Sequence, residues 1–325
     1  MKVLVTGAAG FVGYHVSTAL LARGDAVIGV DNLNPYYDVA LKETRLARLT
    51  ANDGFTFHKL DIAERGVLAA ACSGAGIERV VHLAAQAGVR HSLDDPFAYV
   101  RANITGHLEV LELCRHLDGL EHLVYASSSS VYGGNDKQPF AETDRVDCQV
   151  SLYGATKKAD ELMSHSYSHL FGVPATGIRL FTVYGPWGRP DMAACIFTRA
   201  IFAGEPISVF NRGDMRRAFT YIDDAAAGIV AALDTPPPAN AAGVRHRVYN
   251  IGNDRAEALM EFIALLEAAI GRKAVIQLAP MQPGDVKETV ADISAARRDL
   301  GFAPATPIAV GLPRFVAWYR DYHGV

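Results

Sequence analysis

The sequence predicts a doubly wound α/β fold, a parallel sheet with helices on both faces, followed by a smaller lobe. Three observations predict it. From residue 1 to about 180, short β-branched runs alternate with helical segments. Most of the runs have a continuous apolar centre, as strands covered on both faces do. Finally, a glycine-rich turn separates the first run from the first helix, the place where such sheets hold ligands.

The predicted strands are Lys2–Thr6, Ala26–Val30, Phe55–His58, Arg79–Leu83, His122–Ala126 and Ala175–Leu180. Helical segments between them supply the crossovers that parallel strands require. After residue 180 the alternation loosens, and Pro, Gly and Arg become frequent between 185 and 217. Residues 1–180 therefore read as the sheet domain and 181–325 as mainly a lobe closing over its mouth. Two later segments, Ala218–Ile222 and Arg247–Ile251, are candidates to return to the main sheet. Amphipathic helices are expected near Ala256–Ile270 and Ala309–Tyr322, and Pro236, Pro237 and Pro238 mark a loop.

Composition narrows the function classes. A net charge of −4 lacks the basic balance of a nucleic-acid surface. No long apolar span or signal-peptide pattern occurs, so neither membrane insertion nor export is expected. Cys72, Cys114, Cys148 and Cys195 are far apart and without metal-ligand spacing, so no metal site is expected. They read as buried reduced thiols of a cytoplasmic protein. The cluster Arg212, Arg216 and Arg217 suits a phosphorylated small molecule.

The first strand runs into Gly7-Ala8-Ala9-Gly10-Phe11-Val12-Gly13 and then a helix. Glycines there permit a tight turn and close approach of a pyrophosphate, whose charge rests on the helix N-terminus. Asp31, at the end of the second strand with Asn32 beside it, is placed to accept from ribose hydroxyls. The same carboxylate would repel a 2′-phosphate, which selects NAD over NADP. Asp61 and Ile62, after the third strand, are candidate adenine contacts. Leu83, Ala84, Ala85 and Gln86 follow the fourth strand, where small residues let backbone approach the dinucleotide.

Tyr153 and Lys157 stand four residues apart on a predicted helix and so share one face. A nearby ammonium favours the phenolate, making the tyrosine a usable base near neutral pH. Ser127, Ser128, Ser129 and Ser130 follow the fifth strand at the carboxyl edge of the sheet. A serine run can be only a polar turn; its position before Tyr153 sets both toward one site.

With Gly7, Gly10, Gly13, Asp31, the serine run, Tyr153 and Lys157 in place, the chain resembles the extended short-chain dehydrogenase/reductases of the nucleotide-sugar epimerase and dehydratase type, over nearly its whole length. The resemblance implies a Rossmann-type sheet, bound NAD, a UDP-sugar substrate and a homodimer formed through helices near 95–117 and 151–171. It implies that Tyr153 takes the proton of a sugar 4-hydroxyl as hydride leaves carbon 4. Lys157 would hold the nicotinamide ribose, Ser128 the reacting oxygen, and Asn103 would lie near the nicotinamide. Dehydratases of this type carry an Asp-Glu pair after the position of Ser128, and decarboxylating relatives a glutamate at the second place. Here those places are Ser129 and Ser130, whose hydroxyls are poor acids and bases, so elimination is disfavoured. A redox-neutral epimerisation needs no such acid.

Two strings resemble the UDP-glucuronate 4-epimerases: Asp31-Asn32-Leu33-Asn34-Pro35-Tyr36-Tyr37-Asp38 with Leu41-Lys42, and Phe181-Thr182-Val183-Tyr184-Gly185-Pro186-Trp187-Gly188-Arg189-Pro190-Asp191-Met192. Pro35 replaces an acid common in the family. Arg189 is then expected to pair with a sugar carboxylate, with Thr182 and the serine run as neutral donors. Arg217 matches a family arginine on the diphosphate, although Ala218 replaces its usual acidic neighbour. Asp285, in Pro283-Gly284-Asp285, matches an acid that bonds the uridine ribose. The competing readings are a 4-epimerase of a neutral UDP-sugar, a UDP-glucuronate decarboxylase and, in a different class, a nonenzymatic NAD-binding sensor.

Overall fold

Strand pairing sets the positions of all that follows. The computed structural model describes residues 1–281 and 287–325. Strands β1 (Lys2–Thr6), β2 (Ala26–Asp31), β3 (Phe55–Lys59), β4 (Arg79–His82), β5 (His122–Ser128) and β6 (Ala175–Leu180) fall where the sequence predicts them. Next come β7 (Thr182–Tyr184), β8 (Pro206–Val209), β9 (Arg216–Arg217), β10 (Phe219–Tyr221) and β11 (His246–Ile251). The central sheet is parallel and seven-stranded, in the order β11-β6-β5-β4-β1-β2-β3.

Both faces of this sheet are covered. Val3 and Val5 of β1 enter one buried apolar cluster while Leu4 enters the other, and Val124 and Leu123 of β5 divide the same way. Continuous apolar strands follow from that double burial. The strand order reverses direction between β1 and β4, which opens a crevice at their carboxyl ends. Helix α1 (Phe11–Ala22) starts at that crevice, and helix α2 (Val39–Thr50) follows β2.

The second half partly rejoins the sheet. Arg247–Ile251, expected as a returning segment, lies in β11, which pairs with β6. Ala218–Ile222 does not return: β10 pairs with β7 in a separate two-stranded ribbon. That pairing follows because the chain leaves β6 after Leu180 and turns off the sheet at once. The rest of the lobe holds β12 (Glu257–Ala258), β13 (Val275–Leu278) and β14 (Glu288–Thr289) in small sheets with β9 and β8. Helix Leu259–Ile270 begins later than predicted, since Glu257 and Ala258 pair with β9 instead. The last helix spans Ile308–His323. Cys72, Cys114 and Cys195 are buried free thiols, whereas Cys148 is exposed, lying in the irregular stretch before helix Leu152–Phe171.

Candidate active site

The glycine-rich turn is built for close approach. Gly7 has φ +72°, and a Cβ there would sit 2.7 Å from the Ala84 amide nitrogen; one on Gly13 would be 2.0 Å from the Gly7 carbonyl oxygen. Larger residues would therefore separate β1 from the segment Leu83–Gln86 that leaves β4. No side chain caps α1 at Gly10, so its first-turn amides remain for an anion. Phe11 is buried there, with Val12 and Gly10 half-buried. Asp31 ends β2 with its carboxylate held by the amides of Ala9 (3.1 Å) and Leu33 (2.8 Å), beside exposed Asn32. A turn with glycine at its three closest approaches, an uncapped helix terminus and a fixed carboxylate fit NAD.

Farther along the crevice, Asp61 accepts from the Ala63 amide (2.9 Å) and from Arg101 (3.0 Å), and Ile62 is buried. Burial pushes the Asp61 carboxyl up, but these donors outweigh it and hold it below the usual range. Asn103 lies in a π-helical turn, Val100–Thr105, and its amide is fully engaged inside the fold. Its Oδ1 accepts from the Gln86 amide (2.8 Å), and its Nδ2 donates to the Gln86 carbonyl (3.1 Å) and Thr156 Oγ1 (3.0 Å). Asn103 thus braces the loop after β4 against the helix of Tyr153.

That helix, Leu152–Phe171, is capped by Ser151, whose Oγ accepts from the Gly154 amide at 3.0 Å. A Cβ on Gly154 would lie 2.7 Å from the Ser130 carbonyl, so glycine lets the helix start against the serine turn. The helix that carries Tyr153 is therefore set against the serine turn. The Tyr153 ring meets Tyr99 edge-on, with centroids 6.0 Å apart. Ser128 is buried, and its Oγ accepts from the Ser130 amide (3.1 Å), while Ser129 and Ser130 are half-buried. Lys157 is only 2 % exposed and donates to Asp160 Oδ2 at 3.0 Å. Sequence reading missed Asp160; its spacing of three residues from Lys157 on a helix was the available signal.

Beneath the serine turn, Ser127 Oγ donates to Glu161 (2.7 Å), which also receives Arg179 through Nε (2.8 Å) and Nη2 (2.9 Å). This buried group ties the end of β5 to the helix of Tyr153 and to β6.

Arg189 and Thr182 both line a narrow cleft that Phe11 also borders. The Arg189 guanidinium grips Asp191 side-on, through Nε (3.0 Å) and Nη2 (2.5 Å), and Tyr36 donates to Asp191 at 3.1 Å. Burial opposes the Arg189 charge, but Asp191 more than compensates and raises its pKa further. A Cβ on Gly88 would meet Tyr36, Tyr99 and Arg189 at once, which places this cluster and Tyr153 around one mouth. The sequence strings named Tyr36 and Asp191 without showing that they hold Arg189. Arg217, on β9, donates to the carbonyls of Arg216 (2.9 Å) and Lys287 (3.0 Å). Asp285 lies outside the described residues.

Comparison with known proteins agrees with this geometry. The family model for the NAD dependent epimerase/dehydratase family matches residues 3–252. A probable UDP-glucuronate 4-epimerase of Rhizobium meliloti is 46% identical, covering 98% of this chain and 97% of its own length. UDP-glucuronate 4-epimerase 4 of Arabidopsis thaliana is 47% identical over 99% of this chain and 76% of its own length. Among solved structures, UDP-glucuronic acid 4-epimerase from Bacillus cereus, in complex with UDP-glucuronic acid and NAD, superposes with a TM-score of 0.91. It is 35% identical, covering 99% of this chain and 100% of that one. The chain belongs to the NAD dependent epimerase/dehydratase family.

Proposed function

We propose that the chain interconverts UDP-glucuronate and UDP-galacturonate, as an NAD-dependent 4-epimerase working through a transient 4-keto sugar. The observation that carries this reading is the convergence of Arg189 on the mouth beside Tyr153, where Ser129 and Ser130 bring no carboxyl. An arginine suits an acidic sugar, and hydroxyls leave epimerisation favoured over elimination. The names of the Rhizobium and Arabidopsis relatives and of the Bacillus structure support the same substrate.

In this reading Tyr153 accepts the 4-hydroxyl proton and later returns it to the same oxygen. Bound NAD would supply the hydride acceptor for carbon 4 and the donor for hydride return to the opposite face. The buried Lys157 holds the nicotinamide ribose, and Asp160 fixes where its ammonium sits. Ser128 hydrogen-bonds the reacting oxygen. Arg189 holds the sugar carboxylate with its carbon–carbon bond out of line with the ketone π system, which suppresses loss of carbon dioxide from the β-keto acid. Gly7–Gly13, Asp31 with Asn32, Asp61 with Ile62, and Leu83–Gln86 hold the dinucleotide, and Asn103 shapes the nicotinamide end. The lobe after residue 180 takes the uridine diphosphate, with Arg217 and Asp285 as its contacts.

The protein is further proposed to be a cytoplasmic homodimer that binds neither nucleic acid nor membrane. Exposed Leu93 and Phe97 precede the helix Gly106–His116, and exposed Leu162 and Leu170 lie on the helix of Tyr153; both regions support a helical dimer face. Among the described residues no helix is long and apolar enough to cross a membrane.

NMR of UDP-glucuronate incubated with purified protein, without added NAD, tests the reaction. Resonances of UDP-galacturonate are expected. Unchanged substrate even with added NAD refutes the proposal, and a UDP-pentose product would assign decarboxylation instead.

A further inference from the structure

Arg45, on α2, is fully buried at 0 % exposure, yet it does none of the chemistry described above. Its four hydrogen bonds all go to uncharged oxygens. Nη1 donates to the Ala9 carbonyl (3.0 Å) and the Tyr37 hydroxyl (2.8 Å). Nη2 donates to the carbonyls of Trp187 (2.5 Å) and Gly188 (3.4 Å). Burying a guanidinium without a carboxylate costs several kcal/mol in effective desolvation, on the order of what a well-packed apolar side chain would avoid. Stability alone therefore does not explain an arginine here.

Its partners explain it better. Ala9 belongs to the glycine-rich turn, and Trp187 and Gly188 directly precede Arg189. Trp187 has φ +64°, a left-handed conformation that disfavours any residue with a Cβ. The turn is held in that conformation from the sheet domain. His15 Nε2 on α1 donates to the Pro186 carbonyl (3.0 Å), Arg45 takes the next two carbonyls, and Arg48 lies 5.3 Å over the Trp187 ring. Three successive carbonyls of the 186–188 segment are thus caught by side chains of α1 and α2.

We propose that Arg45 is a positioning residue for substrate specificity: by holding the strained Trp187–Gly188 turn against the glycine-rich turn, it aims Arg189 at the carboxylate of an acidic sugar. The inference rests on the reading of Arg189 as partner of a uronate. It also links the two ligands, because the Ala9 carbonyl that Arg45 grips sits in the loop proposed to carry the pyrophosphate. A lysine keeps the charge but cannot span four acceptors on three segments.

Calorimetric titration of the NAD-loaded protein with UDP-glucuronate, UDP-glucose and UDP tests it, with the melting temperature followed in parallel. Arg45→Lys is expected to weaken UDP-glucuronate about tenfold, a loss of about 1.4 kcal/mol. UDP-glucose and UDP should change by less than about twofold, since neither presents a carboxylate. If Arg45→Lys does not fold, Tyr37→Phe, which removes one of the four partners, should shift the same ratio in the same direction by less. An unchanged UDP-glucuronate affinity, or equal weakening of all three ligands, overturns the positioning role and leaves Arg45 structural. A wild-type protein that binds UDP-glucuronate no better than UDP-glucose refutes the reading of Arg189 and this inference with it.

Discussion

Replacing Arg179 by methionine removes one half of the buried pair that underlies the serine turn. Both side chains are 3 % exposed, and the contact is two-pronged at 2.8 and 2.9 Å. Breaking such a pair from one side costs about 3–5 kcal/mol, chiefly because the remaining charge is stranded. Glu161 here keeps Ser127 and the partly exposed Lys158 (3.1 Å), so the lower end, about 3 kcal/mol, is expected. A chain of 325 residues unfolds with an entropy of about 0.7 kcal/mol/K, so the midpoint should drop by about 4 °C. The pH dependence carries a second signature. Burial pushes the Glu161 carboxyl up, but the Arg179 bonds outweigh it and lower its folded pKa. The contribution is therefore present above the unfolded value of about 4.3 and is lost as pH falls through the folded pKa. Thermal unfolding followed by circular dichroism at pH 7.5 and at pH 4 measures both. The double variant Arg179→Met/Glu161→Gln should recover part of the loss, because no unpaired charge remains. A single variant melting within about 1 °C of wild type would refute the argument that this pair is energetically coupled.

Tyr153→Phe should lower kcat by about 10²–10⁴ while the melting temperature holds, since only the phenolic oxygen is removed; a loss under tenfold would remove it as the base. Arg189→Ala should cut kcat/KM for UDP-glucuronate about 10–100-fold, the worth of a charge-assisted hydrogen bond, and release some UDP-pentose. Normal epimerisation by that variant would show that the carboxylate is held elsewhere. Burial pushes His15, His122 and His246 down to about 4. Their unfolded forms take up protons near 6.5, so stability is full above that pH and falls until about 4, by up to about 1.4 kcal/mol per pH unit for each. A melting temperature that stays flat from pH 7.5 to 5 would show that these rings do not remain neutral in the fold.

Legibility in the sequence followed the range of the interaction. The inner strands through Leu180 were readable because double burial writes itself into strands such as β1 and β5 as apolar runs, while the edge strand β3 was readable from its two phenylalanines. The glycine turn, Asp31 and the Tyr153/Lys157 pair were readable because their geometry is set by neighbours within one turn or helix. What escaped depends on the chain meeting itself. Phe219–Tyr221 reads as a strand, but only the departure of the chain from β6 decides that it pairs with β7 and not with the main sheet. Arg45 looks like an ordinary helix cation on α2, and nothing local reveals that residues 142 and 143 positions away will accept its hydrogen bonds. Asn103 was expected near the nicotinamide, and its role as a brace follows only from where Gln86 and Thr156 come to rest.

One physical pattern concerns the charge of the site. Two cations of the proposed site arrive already compensated: Lys157 by Asp160 and Arg189 by Asp191. A bare ammonium or guanidinium in so dry a place would cost several kcal/mol. Pairing removes that cost but also removes most of the net attraction for an anionic sugar. Arg189 meets Asp191 through Nε and Nη2, so the Nη1 edge is the part of the guanidinium that Asp191 does not engage. A uronate carboxylate at that edge would share the guanidinium with Asp191, so affinity depends on direction more than on bulk charge. Direction is what a fastened loop supplies. A site whose cations are neutralised in advance therefore needs the anchoring of the 186–188 segment by His15 and Arg45. On the proposed function, the residues facing the sugar and the buried hydrogen bonds behind them would serve one requirement, holding a charged sugar still while its 4-keto form exposes either face.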